Sequence, residues 1–184
     1  MTTLEGHKLF KYMGTSDKTG LLECVKDSMS EKRFYPKVTT NQIVQHCIAG
    51  TEIPEEDVDP AWGMCPLLET DVCPVYEARP FGCRCLVSEH DCGNTGFAGI
   101  DPYILTINDI FLQHIEHLDH QGMTGNLSDV LVFIQAETRR SSSQHTISIP
   151  DNLIRNHQIR ALMIPPEYRN RVSPILESLR AILA

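Results

Sequence analysis

The cysteines of this 184-residue chain cluster, and the cluster constrains the fold more than any other feature. Five of the seven lie within one stretch, at Cys65, Cys73, Cys83, Cys85 and Cys92. The same stretch is rich in proline and glycine, which favours irregular, loop-rich structure. Loops of this kind are expected to bury little apolar surface. We therefore expect a bound metal ion to hold the segment together.

The spacing of these cysteines predicts a metal site without choosing the metal. Thiolates are soft, charged donors that bind zinc and iron strongly. The spacing Cys65-x7-Cys73-x9-Cys83-x-Cys85-x6-Cys92 contains none of the paired Cys-x2-Cys knuckles of zinc ribbons, nor the tight run of bacterial ferredoxins. The other interpretation is that the cysteines are small buried apolar residues. We favour that interpretation for Cys47, which lies on the apolar face of a predicted helix.

Charge and hydropathy narrow the possible partners and compartment. The formal net charge is −8, so the chain as a whole repels phosphate backbones, and nucleic-acid binding is not expected. The first residues do not resemble a signal peptide. No run approaches the roughly 18 apolar residues of a membrane span. We therefore predict a cytoplasmic protein without a membrane segment, in which clustered cysteines bind metal rather than form disulfides.

The rest of the sequence predicts a mainly α fold, a single domain over residues 1–184. The cysteine segment occupies about residues 38–99 and a helical part about residues 100–184. Several helices have recognisable capping residues at their starts. They are predicted from Thr40 to Ala49 with Gly50 ending the helix, from Asp101-Pro102 onward, from Asn126 or Ser128 onward, over Asp151–Leu162, and from Ser173-Pro174 onward.

Shorter elements are less sharply defined by the pattern. Residues 8–13 fit either a short strand or a helical turn, and residues 21–29 fit a short helix. Residues 147–149 alternate in polarity and predict a short strand. Residues 51–64 are acidic and contain proline, which predicts a loop or a short helix opened by Pro54.

One part of the cysteine segment resembles a known family. The matching residues are Cys65-Pro66-Leu67-Leu68 and Cys73-Pro74-Val75-Tyr76-Glu77-Ala78-Arg79-Pro80-Phe81-Gly82-Cys83-Arg84. They are similar to the signature of the bacterial zinc- or iron-chelating cysteine-cluster proteins, the YkgJ-like or CxxCxxCC family. The resemblance covers about twenty residues, and residues 38–43 resemble more weakly a helix start of the same family.

The resemblance implies that Cys65, Cys73 and Cys83 are metal ligands. The N-terminal cysteine group of the family is absent, and only Cys24 lies in the corresponding region. The fourth ligand is therefore left open between Cys24, Cys85 and Cys92. Cys85 would share a face with Cys83 if the segment were extended, and Gly93 would let the chain turn around a metal at Cys92.

If these cysteines bind a metal, the residues between them are expected to stabilise the site. Arg79 and Arg84 would offset the negative charge of a thiolate site and donate hydrogen bonds to sulfur or to carbonyls; the alternative for each is a solvated surface charge. Tyr76 and Phe81 would pack over the site, or belong to the general core.

Histidines and catalytic motifs give weaker signals. His114, His117 and His120 lie three residues apart, within reach of one another on a helix, and His90 lies next to the cysteines. Two of the first three could share a metal ion, but we favour the interpretation that they lie on a partly exposed helix face. No nucleophile elbow, phosphate-binding glycine loop or dinucleotide fingerprint is present, so the sequence does not favour an enzyme.

Three functions follow from these observations. The first is a zinc-binding protein with a structural or metal-handling role. The second is an iron or iron–sulfur protein with redox or modification activity. The third is a metal-free helical protein with reactive thiols, in which Cys83 and Cys85 form the redox pair.

Overall fold

The computed structural model describes residues 1–15, 18, 20–57, 59, 62, 64–85, 87–91, 94, 98–140 and 150–183. Within them the chain is mainly helical, as the sequence predicts, with one small antiparallel sheet. In chain order the elements are α1 (Thr3–Thr15), α2 (Gly20–Asp27), α3 (Thr40–Ala49), α4 (Phe81–Arg84), α5 (Pro102–Leu118), β1 (Met123–Gly125), α6 (Leu127–Arg140), β2 (Leu153–Arg155) and α7 (Arg169–Leu183). Short 3₁₀ turns cover Ser28–Ser30, Tyr76–Ala78 and Pro166–Tyr168.

Local capping defines the ends of α3 and the start of α5. The Thr39 side chain accepts from the backbone N–H of Gln42, and the Gln42 side chain accepts from the Thr39 N–H, a complete capping box. Gly50 ends α3 in the left-handed conformation, at φ 64°. Asp101 caps α5 through two backbone N–H groups. These boundaries agree with the prediction to within one residue.

Helix α6 packs against both α1 and α2, and this contact forms the main core. The helices approach closely at Gly6, where a Cβ atom would lie 2.6 Å from the side chains of Val130 and Ile134. These three helices contribute the buried residues Leu9, Met13, Leu21, Leu22, Val25 and Leu131 to the core. A second cluster around Val130, Phe133, Ile134 and Leu153 joins α6 to the sheet.

The cysteine segment is anchored to this core by its own apolar residues. Leu67, Val75 and Ala78 are all buried in the same cluster as α1, α2 and α6. Cys73 packs against it and is partly buried. The expectation that the segment buries little apolar surface is therefore wrong. Hydrophobic burial already fixes much of the segment, so its cohesion does not by itself require a metal.

The predicted helix over Asp151–Leu162 is also wrong. The described chain makes a turn, then strand β2 pairs with β1 in the register Met123↔Arg155, Thr124↔Ile154 and Gly125↔Leu153. After β2 the chain runs without regular secondary structure to Pro165. The apolar spacing resembles that of a helix, but burial of Leu153 against α6 favours the strand.

Buried polar side chains of α5 form hydrogen bonds with the backbone of residues 156–163. These bonds take the place of those that the segment would make within a helix. The backbone N–H of His157 donates to Glu116 Oε1 at 2.7 Å, and that of Met163 donates to Gln113 Oε1 at 2.9 Å. The Gln113 amide donates in turn to the Ala161 carbonyl. Gln113 and Glu116 are almost completely buried, so these bonds form where water cannot compete.

Asn41 connects α3 to the same network. Its amide donates to the carbonyls of Gln113 and His157, and its backbone N–H donates to Glu116 Oε2 at 2.8 Å. Glu116 thus accepts bonds from α3 on one oxygen and from the 156–163 segment on the other. This carboxylate stabilises three pieces of chain that are far apart in sequence.

Other short elements depart from the prediction in smaller ways. Residues 8–13 are helical, inside α1, and the short helix at residues 21–29 is confirmed as α2 with a 3₁₀ turn after it. The last helix begins at Arg169, and Pro174 lies inside it. The fully buried Val172 lies in the first turn, and its burial favours the earlier start. The strand predicted at residues 147–149 lies outside the described residues.

Cys47 was expected on the apolar face of α3, but it is exposed. The residues of α3 that are buried are Asn41 and Val44. The helix is turned so that its polar Asn41 enters the network with α5, which leaves Cys47 and Ile48 in solvent. Sequence periodicity treats the apolar stripe as the buried face, and here a hydrogen-bond network determines the orientation instead.

A tight turn at Thr70-Asp71 carries backbone strain. Both residues have positive φ, 45° and 63°, and Glu69 and Val72 exchange two backbone hydrogen bonds across the turn. Such positions favour glycine or asparagine because a Cβ atom crowds the carbonyl. We expect Asp71→Gly to raise stability by about 1 kcal/mol, or about 2–4 °C in melting temperature.

Thermal unfolding followed by circular dichroism measures this effect. Asp27→Gly is the matched control, because Asp27 has φ −61° and gains nothing from glycine's freedom. The control should lower the melting temperature. A fall in both variants would show that the Thr70-Asp71 turn is not strained.

Candidate metal centre

Helix α4 presents Cys83 beside the N-terminal helix. The Glu5 carboxylate accepts a hydrogen bond from the Phe81 backbone N–H at 2.6 Å, which ties the start of α4 to α1. The Phe81 ring packs on Phe111 of α5, with centroids 5.4 Å apart. Phe81 therefore helps to fix α4 between α1 and α5.

The thiols of Cys65 and Cys73 lie close enough to Cys83 to act on its charge. Burial raises the pKa of the Cys83 thiol, and the charges of Cys65 and Cys73 raise it further. The Met1 ammonium and the Arg79 guanidinium oppose this and lower the pKa. The three cysteines that the sequence predicts as ligands are thus close enough to interact electrostatically. A thiolate at Cys83 is unfavourable there unless a cation is present.

In the described part of the chain, the three thiols do not form a preformed metal-binding group. Among the described residues, no three His, Cys, Asp or Glu side chains are grouped so that they could hold one metal ion. Cys65 is exposed, whereas Cys73 and Cys83 are partly buried. Each of Cys65 and Cys73 lies two residues before a buried residue, Leu67 and Val75 respectively.

Basic side chains hold the loop that joins Cys73 to Cys83. Arg84 donates to the carbonyls of Arg79 and Glu77, at 3.0 and 2.6 Å. The Lys18 ammonium donates to the Pro74 carbonyl. Of the two hydrogen-bonding roles expected for Arg84, to sulfur or to carbonyls, the structure shows the second. Arg84 therefore stabilises the loop.

Arg79 has a different environment from Arg84. Its guanidinium stacks on the Tyr76 ring, 3.6 Å from the centroid, and this contact keeps the charge near Cys83. Its Nε atom is buried and has no hydrogen-bond partner in the described part of the chain. Tyr76 itself is 60% exposed, so it covers Arg79 rather than the thiols.

The candidates for a fourth ligand are placed differently. Burial raises the pKa of the Cys85 thiol, and the charges that raise it further belong to Asp109 and Glu5. The idea that Cys83 and Cys85 share one face assumed an extended segment, and that assumption is wrong because α4 is helical. Cys24 is exposed on α2. Cys92 lies outside the described residues.

Three histidines, two in α5 and His120 just after it, contact backbone groups. His114 Nδ1 lies 2.7 Å from the Ile110 carbonyl, and His120 Nδ1 lies 3.1 Å from the His117 carbonyl. The backbone N–H of Ile159 points to His117 Nδ1 at 3.4 Å. These contacts stabilise the helix and the segment beside it. His90 is exposed, and its backbone N–H donates to Ser88.

A pocket of about 250 Å³ opens at Cys65 and Cys83. Lys32, Arg33 and Trp62 line its other walls, together with the first turn of α6. Sequence reasoning did not select these three residues. No local motif marks them, because the fold brings them to the thiols from a different part of the chain.

Arg33 is a fixed wall of this pocket. Its guanidinium makes two hydrogen bonds to the fully buried Asp129 carboxylate, at 2.7 and 3.0 Å, and also donates to the carbonyls of Met29 and Glu31. The bond to Asp129 is the main reason that the pKa of Arg33 is raised. The pocket wall is therefore held to α6 by a buried ion pair.

No protein-family model, curated protein or solved structure matches the chain. None of the described helices has the length and apolar character needed to cross a bilayer.

Proposed function

We propose that the chain is a metal-binding protein whose ion, zinc, is held by Cys65, Cys73 and Cys83. The observation that carries this proposal is the shared neighbourhood of the three thiols, in which Cys65 and Cys73 both raise the pKa of Cys83. A dication among them reverses that effect, because it favours every thiolate at once. The sequence resemblance to the cysteine-cluster family supports the same three ligands.

The donor set fits zinc in its chemistry. Zinc prefers soft thiolates, and three of them with one further donor complete a tetrahedral shell. A shell of this kind carries net negative charge, which the nearby Arg79 offsets. The Arg79 Nε proton has no partner of its own and is available to a ligand sulfur. On this proposal the thiols draw together as the ion binds, and binding energy becomes folding energy.

The two alternative functions, an iron–sulfur protein and a metal-free protein with reactive thiols, use the same cysteines differently. An iron–sulfur cluster needs the same soft ligands, and the colour of the purified protein distinguishes it from zinc. A redox pair at Cys83 and Cys85 requires at least one thiol of lowered pKa, whereas burial raises both. The raised pKa values of both thiols therefore argue against a redox pair at these two positions.

Elemental analysis of protein purified anaerobically, without chelator, tests the proposal. We expect close to one zinc per chain and a colourless protein, since three thiolates and one further donor supply one tetrahedral site. A brown protein that contains iron with a matching amount of sulfide would instead support the iron–sulfur alternative. Protein with neither metal, and with its thiols free, would contradict metal binding altogether.

A further inference from the structure

A larger pocket, of about 650 Å³, adjoins the one at the thiols and lies between Lys32, Tyr35, Trp62 and Asp151; we call it the aromatic pocket. Its volume falls within the range of about 300–1,000 Å³ that is usual for small-molecule sites. We propose that it binds a small aromatic zwitterion, of the class of a free aromatic amino acid. None of the described residues that line it is a cysteine, so the inference does not depend on the proposed metal site.

Hydrogen bonds to one buried carboxylate fix two walls of the aromatic pocket. The Arg33 guanidinium donates to Asp129 at 2.7 and 3.0 Å, and the Asn152 amide donates to the same carboxylate. Lys32 and Asp151 directly precede these two donors in the sequence. Because Asp129 is buried in α6, it holds Lys32 and Asp151 on the walls of one pocket.

A further wall is held by bonds to Lys37. Its ammonium lies 2.9 Å from the Asp57 carboxylate and donates to the Glu55 carbonyl at 2.9 Å. Its backbone N–H donates to the Glu56 carboxylate at 3.0 Å. These bonds join residues 55–57 to Lys37, so the walls are in place before a ligand arrives and little ordering is needed on binding.

The charges on the walls indicate a ligand that is both anionic and cationic. Among the described residues that line the pocket, Lys32 and Asp151 are exposed and have no hydrogen bond or ion pair. Arg33 and Lys37 are already paired with carboxylates. The aspartates on the walls disfavour a phosphate ester or another polyanion. A ligand that carries one carboxylate and one ammonium satisfies Lys32 and Asp151 together.

Tyr35 and Trp62 supply the surface on which a ligand ring can pack. Tyr35 is 45% exposed, Trp62 is half-buried, and both line the pocket. The Arg33 guanidinium lies over the Tyr35 ring, 5.1 Å from its centroid, and this contact helps to hold the ring in place. An aromatic ring in the pocket would bury apolar area and gain contacts with these side chains.

Trp62 is the only tryptophan of the chain, so its fluorescence reports binding in the aromatic pocket directly. Phenylalanine is the zwitterionic probe; phenethylamine lacks its carboxylate, and 3-phenylpropanoate lacks its ammonium. None of the three absorbs where tryptophan is selectively excited. We expect phenylalanine to change the emission saturably and to bind about threefold to fivefold more tightly than either analogue, because each analogue loses one ion pair.

Two variants assign the charges. Lys32→Gln should weaken phenylalanine and 3-phenylpropanoate by about the same factor, threefold to fivefold, and leave phenethylamine no weaker. Asp151→Asn should weaken phenylalanine and phenethylamine, and leave 3-phenylpropanoate no weaker. Both side chains are exposed and have no bond within the described structure, so both variants should fold as the wild type does.

Two further variants test the ring contact and the effect of general charge. Tyr35→Ala should weaken all three probes, because they share the ring. Lys8→Gln is the matched control for Lys32→Gln, since Lys8 is exposed on α1 and is not among the residues that line the pocket. It should leave the binding of all three probes unchanged.

The outcomes separate this inference from the metal site. No saturable change of Trp62 emission with phenylalanine would overturn the ligand site. An analogue that binds as tightly as phenylalanine would overturn the zwitterion, and equal losses in Lys32→Gln and Lys8→Gln would overturn direct pairing with Lys32. Metal content measured on the same samples keeps the two proposals apart, because we expect phenylalanine to bind whether or not zinc is present.

Discussion

Cys83→Ser should purify without metal, and its melting temperature should no longer respond to chelator. Cys83 is the thiol on which the charges of Cys65 and Cys73 act, so its removal takes away the centre of the proposed ligand set. Thiolate-held zinc contributes about 10–16 kcal/mol in isolated finger peptides. Here the segment is also anchored by Leu67, Val75 and Ala78, so the variant should still fold.

The measurements are metal content after dialysis and thermal unfolding with and without chelator. We expect the wild-type melting temperature to fall by about 10 °C or more on metal removal, which corresponds to several kcal/mol in a chain of this size. Metal-free wild type and Cys83→Ser should unfold at similar temperatures. Hydroxyl and thiol are close in size, so the substitution itself costs little beyond the ligand.

Cys47→Ser is the matched control for this prediction. Cys47 is a cysteine of the same chain, and its free thiol is exposed on α3. Its metal content and melting temperature should equal those of the wild type. Loss of metal in Cys47→Ser together with retention in Cys83→Ser would show that the ligands are wrongly assigned.

Glu116→Leu should lower the free energy of unfolding by about 3–5 kcal/mol, because it leaves one buried and one partly buried backbone N–H group without an acceptor. Those groups belong to Asn41 and His157, which donate to the two oxygens of the Glu116 carboxylate. Glu116 is only 3% exposed, so water cannot replace the lost bonds. The corresponding fall in melting temperature is about 8–15 °C.

Denaturant unfolding of Glu116→Leu and of Glu177→Leu tests the prediction. Glu177 is an exposed residue of α7 with no hydrogen bond in the described structure. Its substitution changes glutamate to leucine, the same change as in Glu116→Leu. The control should change stability by less than about 0.5 kcal/mol. Similar losses in the two variants would mean that the polar network contributes little to stability.

The metal content of Glu116→Leu adds a second measurement. The network joins α3, α5 and residues 156–163, whereas the thiols lie on a segment packed against α1, α2 and α6. At a temperature where the variant is folded, we therefore expect it to bind as much metal as the wild type.

The predictions that came from local chemistry are the ones the structure confirms. The mainly α class, the helix from Thr40 to Ala49 with Gly50 as its cap, and the start of α5 at Asp101-Pro102 all depend on interactions within a few residues. Such interactions are present in the sequence itself. The family-like motif remains a prediction, because no comparison tests it.

The predictions that failed concern which face of a helix is buried and which distant residues a segment contacts. Local sequence patterns do not contain this information. Cys47 was placed in the core because its stripe is apolar, yet Asn41 turns α3 toward α5 and exposes it. The chain from Asp151 was expected to be helical, yet β2 and the side chains of Gln113 and Glu116 hold it in another shape. In both places, distant polar groups outweigh the local apolar spacing.

The sequence by itself determined the helical class, the local helix caps and the presence of an unusual cysteine cluster. Only the tertiary structure decided that Leu67 and Val75 anchor that cluster, that Cys65 and Cys73 act on Cys83, and that Lys32 and Arg33 stand beside them. The reason is physical. A cap is a bond between near neighbours, whereas a pocket and the charge on a thiol depend on groups that only long-range packing brings together.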